Sequence, residues 1–167
     1  HLFYHLYLAA LMLTLNKIII THFKNYDRNS FEFDQNVVGI CGLNGKGKTN
    51  LLDAIYYCCF TKSYFSNTEA LIVNFDKDGF RLEAFFVKEE KEQQVICINR
   101  GGNKKELLLN DIPYEKFSKH IGLLPSVMIA PDDIELITGK SEYRRRYIDT
   151  VLSQLDAGYL KHLIVYN

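Results

Sequence analysis

Apolar positions along the chain fall into short blocks whose period changes from two to helical and back. Residues 13–23 are rich in Leu, Thr and Ile, residues 30–34 alternate around Phe31 and Phe33, and residues 37–41 form a continuous apolar run ending at Gly42. At strand length and with turn residues between them, these blocks predict three strands, the last buried on both faces. Residues 48–60 carry Leu51, Leu52, Ile55 and Cys59 at helical spacing, so that strand, glycine loop and helix follow without a gap. Residues 80–87, 93–100 and 105–110 alternate again and are separated by charged or glycine turns, which predicts an antiparallel meander. After Pro113 a short helix through His120 is expected, then a second buried strand at residues 126–130 that Pro131 ends. Asp132 and Asp133 are placed to cap a helix that Gly139 closes. Residues 142–155 and 158–166 read as helices, with Ser141 as a cap for the first. The pattern as a whole is α/β with a β-rich region inserted in it.

Composition narrows this picture. A chain of 167 residues with 47% hydrophobic content can bury one substantial core, which predicts one domain or part of one. Lys+Arg and Asp+Glu both total 20, so no whole-chain field draws the protein to nucleic acid or to an anionic membrane. Any anion-binding surface must be local, at Arg100 with Lys104 and Lys105 or at Lys140 with Arg144, Arg145 and Arg146; short basic runs are also common as plain solvated faces. Cys41, Cys58, Cys59 and Cys97 form no C-x-x-C pair and no metal-ligand spacing with His, so reduced thiols packed in the interior are expected. Residues 1–11 form an apolar run without a basic leader or cleavage site and too short to span a bilayer; they read as upstream residues, with the patterned domain running over 12–167. The last helical pattern has no cap or breaker, so the chain reads as the N-terminal part of something longer.

The candidate chemistry is concentrated in one place. Gly42, Leu43, Asn44, Gly45, Lys46, Gly47, Lys48 and Thr49 fit G-x-x-x-x-G-K-[ST] without mismatch. Such a match arises by accident in a chain of this length with a probability on the order of one per cent. Its place between a buried-strand pattern and a helix aims backbone N–H groups and a helix N-terminus at one anion. The glycines permit positive φ and close approach to phosphate oxygens. Lys48 then places its charge between the β- and γ-phosphates, and the Thr49 hydroxyl ligates Mg²⁺, which makes ATP with Mg²⁺ the expected ligand. Asn50 and Asp53 follow on the helix, Asp53 reading as a favourable first-turn charge. Hydrolysis needs a further acidic group at a strand end, for which Asp132 and Asp133 are the candidates; Pro131 intervenes, capping is the stronger reading of Asp132, and the chain looks catalytically incomplete.

The stretch Phe23-Lys24-Asn25-Tyr26, the phosphate loop with Asn50-Leu51-Leu52-Asp53-Ala54-Ile55-Tyr56, and the run of residues 131–149 together resemble the RecF family of ATP-binding-cassette-like ATPases, which also include the SMC proteins. Pro131-Asp132, Leu136-Ile137, Gly139, Arg144-Arg145 and Tyr147-Ile148-Asp149 follow the family signature; Lys140 and Ser141 depart from it, where a small residue and proline are usual. The resemblance implies the partial head domain of an ABC-type P-loop ATPase, with an antiparallel β insertion and C-terminal helices. It also implies a cytoplasmic DNA repair and replication protein that binds single-stranded or gapped DNA. Such a protein works with RecO and RecR in recombinase loading, serves the SOS response, and forms an ATP-dependent homodimer away from the membrane. Residue by residue, it adds Lys24 and Asn25 as nucleotide contacts beside the loop and Asn50. Arg144 and Arg146 are the expected DNA-phosphate contacts, with Arg145 turned inward toward Asp149. The serine-rich signature loop and acidic strand of the family are absent from the chain. Two rival readings use the same loop: a small P-loop kinase with Arg144 to Arg146 as its lid, and a nucleotide-gated interaction module without turnover.

Overall fold

A computed structural model of the chain describes residues 13–101 and 104–166. The reading of residues 1–11 as an upstream segment lies outside the described residues.

Six strands are hydrogen-bonded into one sheet: β1 (Leu13–Phe23), β2 (Tyr26–Glu32), β3 (Phe80–Lys88), β4 (Lys91–Asn99), β5 (Lys105–Leu109) and β6 (Ile112–Pro113). Their order is β2-β1-β3-β4-β5-β6 and every pairing is antiparallel. The register lines the apolar residues of four strands into rows on one face. Ile20 lies opposite Leu82, Leu82 opposite Cys97, and Cys97 opposite Leu107; beside them run Ile18, Ala84, Val95 and Leu109. The alternation read from the sequence is therefore the pleat of this sheet, and its inward face is almost wholly removed from solvent. Burial of each larger aliphatic side chain contributes about 1.5–3 kcal/mol.

Helix α1 (Lys48–Phe60) covers these rows with Leu51, Ala54, Tyr57 and Cys58. Tyr57 meets Phe23 and Phe80 edge to face, and Phe23 meets Phe80 the same way, at centroid separations of 5.2–6.0 Å. These contacts tie the end of β1 to the helix and to the start of β3. The far end of α1 is held by His120, which is fully buried and donates Nε2–H to the Cys58 carbonyl at 2.7 Å. Burial holds this imidazole below its ordinary value, against the smaller opposing influence of that hydrogen bond.

The remaining helices are the short α2 (Glu135–Thr138), α3 (Ser141–Leu155) and α4 (Ala157–Tyr166). Gln154 of α3 accepts the Ser126 amide at 2.8 Å, and Gly122, at φ 87°, lets the Gln154 backbone pass so close that a Cβ would meet its carbonyl at 2.3 Å. The first two turns of α3 are exposed all round.

Three sequence expectations are corrected. Residues 37–41 form no strand, and Val37 is 89% exposed. Residues 126–130 likewise form no strand, with Ile129 84% exposed. Both are continuous apolar runs, but a strand needs a hydrogen-bonded neighbour, and among the described residues neither run has one. The helix expected through His120 shrinks to one 3₁₀ turn at Phe117–Lys119. In addition, β2 starts at Tyr26 and ends at Glu32 rather than covering residues 30–34; as an edge strand it tolerates the exposed polar stretch from Asp27 to Asn29.

Candidate functional site

The phosphate-loop motif occupies an open turn ahead of α1. Gly42, Gly45 and Gly47 take φ of 150°, 79° and 92°, the positive values the motif anticipates. Gly47 is the residue that starts the helix, and its carbonyl accepts the Leu51 amide at 2.9 Å. The Lys48 ammonium curls back over the loop and donates to the carbonyls of Gly42 at 2.7 Å and Leu43 at 2.9 Å. Leu43, Asn44 and Lys46 are exposed on the rim, and Thr49 is exposed in the first turn of α1. The protein offers one exposed hydroxyl at this mouth, Thr49, and Mg²⁺ characteristically completes its shell with phosphate and water oxygens. Among the described residues no group of three His, Cys, Asp or Glu could hold a metal by itself.

The hairpin turn between β1 and β2 closes over one side of the loop. Phe23 pairs with Tyr26 across it, Lys24 sits at φ 51°, and the Lys24 amide is anchored to the Ile72 carbonyl at 2.7 Å. Asn25 donates to the Gly45 carbonyl at 3.3 Å and accepts from the Asn50 side chain at 2.7 Å. Tyr26 donates its phenol to the Gly47 carbonyl at 3.0 Å, and burial pushes that phenol above its ordinary value. The fit is tight, since a Cβ on Gly47 would meet Asn25 Oδ1 at 2.8 Å and Tyr26 Cζ at 3.0 Å.

The structure thus places Asn25 against the loop with Asn50 bonded to it, while the Lys24 ammonium goes elsewhere. It lies 2.6 Å from Asp53 Oδ2, with its side chain only 12% exposed and the ring of Phe65 at 5.4 Å. Asp53 is correspondingly no surface charge of the first turn. It is fully buried and also accepts Ser63 Oγ and the Tyr64 amide, each at 2.7 Å. Sequence reasoning gives Asp53 a different role, as a first-turn charge, and assigns none to Ser63 or to Tyr26 individually. A usable signal was present, because Asn50 and Asp53 stand three apart on one helix face and meet the adjacent pair Asn25 and Lys24.

Asp132 and Asp133 lie in the turn Pro131–Ile134. The capping role falls to Asp133, whose Oδ2 accepts the Ala130 amide at 2.6 Å and whose Oδ1 accepts the Tyr64 phenol. Burial, with Asp133 beside it, raises that phenol well beyond the ordinary tyrosine range. A cleft of about 310 Å³ opens here, lined by Tyr64, Met128, Asp132, Tyr143, Arg146 and Tyr147.

Arg144, Arg145 and Arg146 are all exposed. Arg144 donates to the carbonyls of Leu136 at 3.3 Å and Gly139 at 3.1 Å, at the end of α2. Arg146 lies 3.5 Å from Glu142, one turn back. The inward placement expected for Arg145 is corrected: its partner is the Ser141 hydroxyl at 3.3 Å, and Asp149 instead accepts the Tyr159 phenol. Of the other basic candidates, Arg100 is paired with Glu106 and Lys105 with Glu69.

The sequence profile of the AAA domain family matches residues 17–157. With the glycine-lined loop ahead of α1, this defines a P-loop NTPase fold of the ABC-type head class, and the chain belongs to that AAA domain family. Among the proteins it is similar to are several RecF proteins. The DNA replication and repair protein RecF of Flavobacterium johnsoniae is 41% identical over 152 residues, covering 91% of this chain and 42% of that protein. The RecF protein of Parabacteroides distasonis is 40% identical over 153 residues, with 92% and 42% covered. Among solved structures, the recombination mediator protein RecF with ATPrS superposes with a TM-score of 0.88 at 28% identity, over 93% of this chain and 42% of that one. An SMC ATPase structure shares the fold with a TM-score of 0.66 at 18% identity, over 82% and 98%. The RecF resemblance read from the sequence therefore holds. The chain spans about two fifths of the length of the curated relatives it matches.

Proposed function

We propose that this chain is the nucleotide-binding part of a RecF-like ATPase of DNA replication and repair, and that it binds ATP with Mg²⁺ at residues 42–49. The observation that carries this reading is the loop: three glycines at positive φ, a lysine folded over the cradle and an exposed threonine at the helix start. Support comes from relatives named for DNA replication and repair and from solved RecF structures named for ATP and ATPrS. Lys48 moves its ammonium from the loop carbonyls to the β- and γ-phosphates, the backbone N–H groups of the loop surround the anion, and Thr49 supplies one oxygen to the metal. Mg²⁺ would be held through the Thr49 hydroxyl and would offset the negative charge of the phosphates.

To the same proposal belong DNA as partner, in single-stranded or gapped form, and cooperation with RecO and RecR in recombinase loading and the SOS response. An ATP-dependent homodimer and a cytoplasmic site of action belong to it too. Among the described residues no helix is long and apolar enough to cross a membrane. For DNA phosphates, Arg146 is the more available of the two expected contacts, because Arg144 is already engaged at the end of α2. The test is calorimetry of Mg-ATP binding, with phosphate release followed on the same preparation. Measurable binding that Lys48→Ala abolishes, with little sustained release, is expected; equal affinity in Lys48→Ala overturns the loop assignment, and steady release lost in that variant overturns the expectation of low turnover.

A further inference from the structure

Asp53 lies outside the phosphate-loop motif, yet its carboxylate ties two other segments of the chain to α1. It accepts Lys24 Nζ at 2.6 Å from the β1–β2 turn, and Ser63 Oγ and the Tyr64 amide, each at 2.7 Å, from the segment after α1. Lys24 is followed directly by Asn25 and Tyr26, the residues that hold the carbonyls of Gly45 and Gly47. In a planar trans peptide the C=O and the following N–H point in opposite directions. Pinning the Gly45 carbonyl to Asn25 therefore aims the Lys46 N–H away from the hairpin, and pinning the Gly47 carbonyl to Tyr26 does the same for the Lys48 N–H. The Lys46 N–H so directed meets only the Leu43 carbonyl across the loop, at 3.4 Å, a weak contact that an incoming anion would replace; both N–H groups belong to the set that a phosphate loop turns toward its anion.

We infer that Asp53 is a positioning residue for the phosphate loop. Through Lys24 it fixes the β1–β2 turn, and the turn orients the Gly45–Lys46 and Gly47–Lys48 peptide planes before any nucleotide arrives. Lys24 serves in this as the arm of Asp53 and not as a phosphate ligand, since its ammonium is spent on the carboxylate and enclosed by Phe65. The inference rests on the nucleotide reading above for its consequence in affinity, but the loop geometry it concerns can be read without nucleotide.

The experiment is a set of variants of the chain, Asp53→Asn, Lys24→Met, the double variant, and Asn25→Ala with Tyr26→Phe, examined by amide NMR and by Mg-ATP calorimetry. In Asp53→Asn the amides of Lys46 and Lys48 are expected to shift while those of Leu82 and Cys97 in the sheet stay in place. Loop amides that remain at their original positions overturn the inference whether or not the chain binds ATP. Affinity is expected to fall about tenfold in Asp53→Asn, no further when Lys24→Met is added, and no further when Asp53→Asn is added to the Asn25→Ala, Tyr26→Phe background. Additive losses from Lys24→Met and Asp53→Asn overturn it, because they would mean that Lys24 acts on the ligand independently. If Asp53→Asn does not fold, Asn25→Ala with Tyr26→Phe carries the test: unmoved Lys46 and Lys48 amides there overturn the inference. A wild-type chain without measurable ATP affinity overturns the nucleotide reading and leaves the amide result to decide this one.

Discussion

Thr49 and Asp53 stand four apart on the same helix and have opposite fates. Thr49 is exposed at the mouth of the loop, whereas Asp53 is sealed beneath the hairpin turn. A contiguous motif assigns Thr49 a role from the sequence directly, as a proposed metal ligand. Helix position alone makes Asp53 a favourable first-turn charge, and it says nothing of the partner that reaches it from the β1–β2 turn. A buried carboxylate deprived of its cation costs about 3–5 kcal/mol, so Lys24→Met is expected to lower stability as well. For Thr49 the expected signature is different. Thr49→Val removes one metal oxygen and leaves the backbone cradle, so the Mg²⁺-dependent part of ATP affinity should fall about tenfold to a hundredfold while metal-free binding hardly changes. Titrations with and without Mg²⁺ decide this; equal losses in both would show that Thr49 serves the loop and not the metal.

At the level of elements, what the sequence made visible was periodicity, and what it hid was pairing. The strands β1, β3, β4 and β5 and the helix α1 all emerge where apolar spacing places them, because each has one face on the same core. Residues 37–41 and 126–130 have the composition of buried strands but no neighbour among the described residues, and composition carries no information about a neighbour. The arginines of α3 pose the same difficulty on a smaller scale. The apolar positions Val151, Leu152 and Leu155 are half-buried, but the stripe does not continue back to Ile148, which is 52% exposed, so it cannot orient the preceding turn. What separates the arginines is hydrogen bonding. Arg146→Ala should reduce the salt dependence of DNA binding by about one phosphate contact without lowering the melting temperature, whereas Arg144→Ala should lower the melting temperature by releasing the end of α2. Affinity measured against salt, beside thermal melts, checks both; a flat salt slope only in Arg144→Ala would reverse the assignment.

On the scale of the whole molecule, the fold joins a six-stranded sheet to one nucleotide helix, and the join is fastened at both ends. At the loop end the fastening is ionic; at the other it is His120, inserted between Tyr114 and the Cys58 carbonyl. Because burial depresses the imidazole below 6.5, the folded chain resists a proton that the unfolded chain accepts. The stability from this site is complete above about pH 6.5 and drains away as the pH falls below that value toward the lower pKa of the folded state. Circular-dichroism melts are expected to show a falling midpoint between about pH 7 and pH 5.5, and His120→Asn, though less stable at neutral pH, should flatten that slope. An unchanged slope in the variant would place the acid sensitivity elsewhere. One buried imidazole at the opposite end of α1 from the phosphate loop thereby couples the chain's endurance to the acidity of its surroundings.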